Sequence, residues 1–442
     1  MKTYKIVNLG CPKNVVDSEV IMGLLENANY KFSENGKIVI INTCAFIESS
    51  IKESESEIEE YIQKKRNGEI EKLIVAGCLV QRKKQKLLEE FPDIDLIIGH
   101  DDIGRIVDLI ENKLKPKIFE NPRYIPNSNL PRIITTSYYA YVKIGEGCSR
   151  RCSFCTIPSI RGDFRSRPIE DIVNEVKMLS KLNIKEIILV AQDFTLYGYD
   201  LYGKCAIVDL IEELNKINEI DWFRILYVHP YGIVKNENFI KLLANSKFVP
   251  YLEVPIQHIN DRILKLMNRT GGKFAILKAL EIIEKYLKNY TLRTEIIVGF
   301  PSETEDEFNE LIDFILDSPF SRIGVFPYYR EFSTPSYGFE NQIDESIKNE
   351  RYEIAREVSF RKFLEFQKNL INKKIPVLIE DYERGYFYGR TIYDAPNVDG
   401  KVILKGSFKP GKIYEVKIND LNEEGDLIVK WWKNFWNDIK RL

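Results

Sequence analysis

A chain of 442 residues is too long for one hydrophobic core, and two to four domains are expected. Its 44% hydrophobic and 29% charged residues are ordinary for a soluble globular protein. A net charge of −2 excludes a general polyanion binder, so any nucleic-acid contact would have to come from a local patch.

The opening MKTYKIVNLGC has neither the apolar stretch nor the small-residue cleavage site of a signal peptide. No apolar run approaches the roughly 20 residues that span a bilayer. A cytoplasmic protein with no membrane partner is therefore expected. Apolar runs at Lys5–Leu9, Ile38–Ile41, Leu73–Ala76 and Leu96–Ile98 predict buried strands. Helical patterns separate them around Ser18–Glu26, Ser50–Lys64, Gln81–Glu90 and Ile103–Glu111. The alternation predicts an α/β domain over residues 1–120, with a parallel sheet and crossover helices. Residues 121–136 read as a linker, since Asn121–Arg132 holds three prolines.

A second alternating region covers residues 137–372. Its strands are predicted at Ala140–Ile144, Glu186–Val190, Phe223–Tyr227, Tyr251–Val254, Arg293–Val298 and Arg322–Phe326. Helices such as Ile169–Leu182 and Phe274–Leu287 lie between them. Six β/α units fall short of a closed eightfold barrel, so a partial, open (β/α)6 barrel is expected. Asp344–Asn372 reads as a long charged helix. Over residues 373–442, short runs of Val, Ile and Tyr are punctuated by the turns ERGYF, NVDGK, KPGK and EEGD, which predict a small all-β barrel. That tail has no Cys or His and is expected to recruit substrate without supplying a ligand.

Seven cysteines in a reducing compartment do not suggest a disulfide framework, and spacing decides among catalysis, metal binding and burial. The run EGCSRRCSFCTIPSIRG carries Cys148, Cys152 and Cys155 as CxxxCxxC on the loop after a predicted strand. That end of the strands is where β/α barrels place active sites. A structural zinc site usually takes four protein ligands, and no fourth Cys or His is near in sequence. A cubane cluster on three cysteines leaves one iron with an open position. A structural zinc or cluster site is the plainer alternative.

CxxxCxxC with Phe154 before the last cysteine resembles the radical S-adenosylmethionine superfamily. The resemblance implies a [4Fe-4S] cluster on Cys148, Cys152 and Cys155, with S-adenosyl-L-methionine bound at the open iron and cleaved to a 5′-deoxyadenosyl radical. It also implies cofactor contacts at later strand ends: Gln192 and Asp193 in LVAQDFTLYG, Gln257 in EVPIQH and Gly299 in IIVGFPSETE. Each of these polar residues has an alternative reading as a cap of the next helix.

Cys11, Cys44 and Cys78 each follow a predicted buried strand. The carboxyl ends of neighbouring parallel strands form one ligand-binding edge, so the three can converge on a second cluster. Burial as small apolar residues is the alternative. Cys205 has no partner in either set. The whole arrangement resembles the methylthiotransferases: a cluster domain, a radical barrel and a tail of TRAM type. In that family the second [4Fe-4S] cluster carries the inserted sulfur, and no catalytic side chain beyond the cysteines is implied.

One branch of that family modifies adenosine in transfer RNA. The other modifies an aspartate of the twelfth small-subunit ribosomal protein. NLGCPKNVVDSE, INTCAFIESS, CSFCTIPSIRGDFRSR and GRTIYDAPNVDG resemble the second branch, with Ala45 as a departure where Gly is common. The resemblance implies methylthiolation at the aspartate β-carbon, with that ribosomal protein as substrate and no direct transfer RNA substrate. It also implies an external electron donor such as flavodoxin or ferredoxin, and a sulfur source. Ile371–Leu442 holds 13 Lys and Arg against 11 Asp and Glu, only +2, which is weak for a phosphate-binding module. Asp394 and Asp399, on a predicted turn, are candidates to face a basic ribosomal protein, with plain solvation of turn aspartates as the alternative reading. Arg161, Arg165 and Arg167 are the candidates for holding a carboxylate or an RNA phosphate. A two-cluster electron carrier is the non-enzymatic alternative.

Overall fold

The computed structural model describes residues 2–118 and 122–430; Asn121 of the predicted linker and the tail beyond residue 430 lie outside the described residues. The N-terminal sheet has β1 (Thr3–Asn8), β2 (Lys31–Phe32), β3 (Ile38–Thr43), β4 (Lys72–Gly77) and β5 (Leu96–Ile98) in the order β2-β1-β3-β4-β5, all parallel. β3 and β4 are buried on both faces, which is why they read as unbroken apolar runs. Helix α1 (Pro12–Asn27) starts six residues before the predicted Ser18, because Pro12 suits the first turn of a helix. The predicted helix Gln81–Glu90 is two pieces, α3 (Cys78–Lys83) and Lys86–Glu90, parted at Lys84 with φ +53°. The long helix α2 (Glu48–Arg66) covers the same sheet.

The second domain is a six-stranded parallel sheet, in the order β13-β12-β11-β10-β9-β6. Its strands are β6 (Tyr139–Lys143), β9 (Glu186–Val190), β10 (Trp222–Ile225), β11 (Phe248–Glu253), β12 (Thr291–Val298) and β13 (Arg322–Pro327); the small ribbon β7 (Gly145–Glu146) and β8 (Arg165–Ser166) follows β6. Alternation along β6 divides its side chains. Ala140 and Val142 join the core under the helices, while Tyr139 and Tyr141 join a separate interior cluster. Val16 of α1 reaches that interior cluster, as do Leu378 and Ala395 of the C-terminal domain.

The C-terminal domain is a curled six-stranded sheet, in the order β17-β14-β15-β16-β19-β18. It comprises β14 (Lys374–Glu383), β15 (Tyr386–Thr391), β16 (Val402–Leu404), β17 (Ile413–Lys417), β18 (Asp420–Leu421) and β19 (Leu427–Val429). Arg384 and Gly385, both at positive φ, make the tight turn between β14 and β15. The predicted exposed turn of Asp394 and Asp399 is corrected by the structure. Asp394 accepts from Arg322 at 2.9 Å, and Asp399 accepts from Arg293 at 3.0 Å and Tyr251 at 2.8 Å. Glu186 at the start of β9 is shared by Arg224 and Arg390, each at 2.6 Å. The curled sheet therefore docks on the amino ends of the barrel strands, opposite the cysteines.

Candidate active site at two facing sheet edges

Each N-terminal cysteine sits where a strand of the first sheet ends. Cys11 caps α1, and the backbone N–H groups of Asn14 and Lys13 point at its sulfur. Burial pushes that thiol up, but Lys13, Arg161 and those N–H groups outweigh it and hold it below its usual value. Gly10, at φ +96°, lets the loop pass Cys44; a Cβ there would meet the Cys44 sulfur at 3.0 Å. Cys44 follows β3 and exchanges backbone hydrogen bonds with the Ser54 hydroxyl. Cys78 opens α3 after Gly77. Burial pushes the Cys78 thiol up to about 11; Arg161 pulls it down, while Cys44 and Cys11 push it further up. The three sulfurs thus feel one another's charge.

The barrel trio lies on the loop after β7. Its backbone is stapled to the helix Asp261–Leu266: Ser153 donates to the carbonyls of Met267 and Leu266, and the Asn268 amide donates to Arg151 O. Burial pushes Cys148 up to about 11 and pushes Cys155 well above the ordinary thiol range, with Cys152 adding to both. Arg269 donates to the Cys152 sulfur at 3.5 Å. Among the described residues, no three His, Cys, Asp or Glu side chains are placed to hold a single metal ion. A cubane spreads its thiolates over separate irons, so its ligands stand wider apart than around one zinc.

A buried polar chain runs from the barrel to the N-terminal trio. Gln192 donates to Glu146 at 3.0 Å, and Glu146 pairs with Lys143 and with Arg161 at 3.2 Å. Lys143 reaches Asp17 at 2.6 Å. Arg161 then donates to Asn14 at 2.8 Å and to the Cys78 sulfur at 3.4 Å. The Lys143 and Arg161 charges hold the Glu146 carboxyl below the usual carboxylate range against the opposing effect of burial. The domains are clamped nearby: Thr156 donates to Phe46 O at 3.0 Å, and Glu331 accepts from Arg82 at 2.5 Å.

The predicted cofactor contacts divide. Gln192 keeps a buried amide oxygen with no partner among the described residues. Asp193 caps the next turn through Thr195 and pairs with Arg150 at 2.6 Å, so its carboxylate is committed to the cysteine loop. Gln257 lies four residues past β11 with φ +72°, its backbone joined to Glu295 and Ile297. Gly299 donates to the Glu303 carboxylate, and a Cβ there would strike Lys348 at 2.5 Å; that close approach already requires glycine. Arg167 is no free carboxylate holder, since Asp171 and Glu175 take its guanidinium. Arg161 is likewise paired inside the protein, and Arg165 donates to the carbonyls of Arg161 and Asp163. Sequence reasoning missed Asn14, Asp17, Lys143, Glu146, Arg150 and Arg269. For all but Arg269 the available signal was a polar residue within a few positions of the cysteines or at the end of β6; Arg269 is far from every cysteine in sequence and gave none. Cys205 is partly buried and packed against the barrel core.

Among the described residues, no helix is long and apolar enough to cross a membrane. Three family descriptions match: the radical SAM superfamily over residues 142–315, an uncharacterized protein family, UPF0004, over residues 3–99, and the TRAM domain over residues 371–431. The ribosomal protein uS12 methylthiotransferase RimO of Carboxydothermus hydrogenoformans is 42% identical over 429 residues, covering 94% of this chain and 97% of that one. The RimO protein of Clostridioides difficile is 40% identical, covering 96% of this chain and 97% of its own. A solved structure of the radical S-adenosylmethionine methyltransferase TsrM from Kitasatospora setae matches with a TM-score of 0.56 and 16% identity. It covers 76% of this chain and 74% of that one, a likeness of fold alone.

Proposed function

The chain belongs to the RimO family of radical S-adenosylmethionine methylthiotransferases, and from that premise we propose that it methylthiolates the β-carbon of an aspartate in ribosomal protein uS12. The observation that carries this reading is the pair of cysteine trios at the carboxyl ends of two sheets, with the chain from Gln192 to Cys78 crossing between the two domains. In this reading Cys148, Cys152 and Cys155 hold one [4Fe-4S] cluster, and Cys11, Cys44 and Cys78 hold a second. When bound, the first supplies an electron to S-adenosyl-L-methionine and the second supplies sulfur. Gln192, through its free amide oxygen, Gln257 and Gly299 line the cofactor; Asp193 acts on it only through Arg150. Arg161 holds Cys78 in place and spans the domains. The curled sheet at the far end of the barrel keeps the strands in register and offers its outer face to the ribosomal protein. An external electron donor and a sulfur source complete the turnover.

The test is anaerobic incubation of the reconstituted protein with uS12 and, separately, with hypomodified transfer RNA. Mass spectrometry should find one methylthio group in place of hydrogen on an aspartate of uS12. The same gain on adenosine alone would place the substrate in the other branch. Iron should reach about eight atoms per chain, as two cubanes require, and each triple Cys→Ala variant should lose about half. Full iron in the Cys11/Cys44/Cys78 variant would sink the second cluster.

A further inference from the structure

Nine Lys and Arg side chains are buried among the described residues, and eight of them are paired with a carboxylate. Lys13 is the ninth. It is 6% exposed, yet among the described residues its ammonium makes no ion pair and donates no hydrogen bond. Its ammonium lies over the face of the Tyr227 ring, 4.7 Å from the centroid, and close enough to the Cys11 sulfur for their charges to interact. A cation–π contact offsets only part of what an ammonium loses on leaving water, so a buried ammonium without a carboxylate is a costly arrangement. The paired cations, Lys143 and Arg161 among them, show that this fold ordinarily supplies the carboxylate.

The position gives that vacancy a direction. Lys13 lies two residues past Cys11, in the first turn of α1. Tyr227 lies just beyond β10, at the carboxyl edge of the barrel. The ammonium therefore sits between the two cysteine-bearing edges. Tyr227 is held at φ +64°, a strained value for an aromatic residue, and its ring lies close enough to Cys11 for their charges to interact. The other cation near the N-terminal sulfurs, Arg161, already has Asp17 and Glu146.

Building on the aspartate reading above, we propose that Lys13, seated on Tyr227, binds the side-chain carboxylate of the target residue. A charge-assisted hydrogen bond would fix that carboxylate and so set the neighbouring carbon's orientation. The free carboxylate of S-adenosyl-L-methionine has the same chemistry, so the experiment must separate the two sources.

Binding of uS12, and of uS12 with its target aspartate changed to asparagine, is measured on the anaerobically reconstituted enzyme. Wild type, Lys13→Met and Lys13→Arg are compared, with iron content and S-adenosyl-L-methionine affinity read on each. Wild type should prefer the aspartate form by about tenfold or more, the usual scale for a hydrogen bond to a charged group. Lys13→Met should lose that preference by weakening the aspartate form alone, and Lys13→Arg should keep part of it. The assignment is overturned by an unchanged preference in Lys13→Met, by equal weakening of both forms, by loss of iron, or by a fall in S-adenosyl-L-methionine affinity instead. Wild-type enzyme that leaves the aspartate unmodified sinks the substrate reading and this assignment together. A modified aspartate with an unchanged preference sinks this assignment alone.

Discussion

At the scale of single residues, burial decides which charges are free to act. Arg161 and Arg167 stood out in the sequence because arginines near a cysteine motif can hold anions. Once folded, both are consumed by carboxylates: Arg161 by Asp17, far away in the chain, and Arg167 by Asp171 and Glu175 of the helix that follows it. Glu303 shows the opposite balance. Burial pushes its carboxyl up to about 7, although the Gly299 and Phe300 N–H groups and Arg351 favour the charged form. The folded chain then keeps a proton that the unfolded chain releases near its ordinary value of 4.5. Stability from this group is present below that value and is lost as pH rises toward about 7. Melting temperatures of wild type and Glu303→Gln should diverge in favour of the variant from about pH 5 to about pH 7, then run parallel. A difference that does not change with pH would mean that Glu303 is ionised throughout.

At the scale of elements, the junctions between strand and helix place the cysteines. Gly77 ends β4 at φ +94°, and Cys78 begins α3 immediately after it. A Cβ at Gly77 would stand 2.4 Å from Asn42 Oδ1 and 2.7 Å from Thr43 O, both atoms of the neighbouring strand's end. Gly77→Ala should therefore cost about 1–3 kcal/mol in strain and move the Cys78 sulfur away from its trio. Iron analysis should show a loss of about half the metal, with the barrel cluster's share retained. Full iron with unchanged stability would show that the junction adapts without moving Cys78. The sequence announced this junction as an apolar run followed by Gly-Cys. It could not announce the break of the following helix at Lys84, where a charged residue adopts a positive φ that no local pattern requires.

At the scale of the whole molecule, the tail is part of the barrel's construction. Its lack of Cys and His suggested a detachable recruitment module, whose removal would spare S-adenosyl-L-methionine cleavage. The structure instead buries Arg224, Glu186, Arg293 and Arg322 against Arg390, Asp399 and Asp394 at the barrel's amino end. Deleting Ile375–Leu442 strands these charges in an interior, where each broken pair costs about 3–5 kcal/mol. The truncated chain should lose soluble yield, product formation and 5′-deoxyadenosine release together. A folded, iron-replete truncation that still releases 5′-deoxyadenosine would restore the detachable reading.

The sequence by itself determined the three-part α/β, partial-barrel and curled-sheet order. It also placed Cys11, Cys44 and Cys78 after strands, and the run of Cys148, Cys152 and Cys155 on the loop after another. These are local facts, carried by apolar runs, periodicity and short spacings within one stretch of chain. The tertiary structure alone decided which polar groups meet. Gln192, Glu146, Lys143, Arg161, Asp17 and Cys78 come from separate segments, and only the docking of two sheets makes them one chain of contacts. The fate of Lys13 was decided in the same way. Its spacing from Cys11 was legible in the sequence, but its burial without a carboxylate follows from what the barrel sets opposite it, the ring of Tyr227.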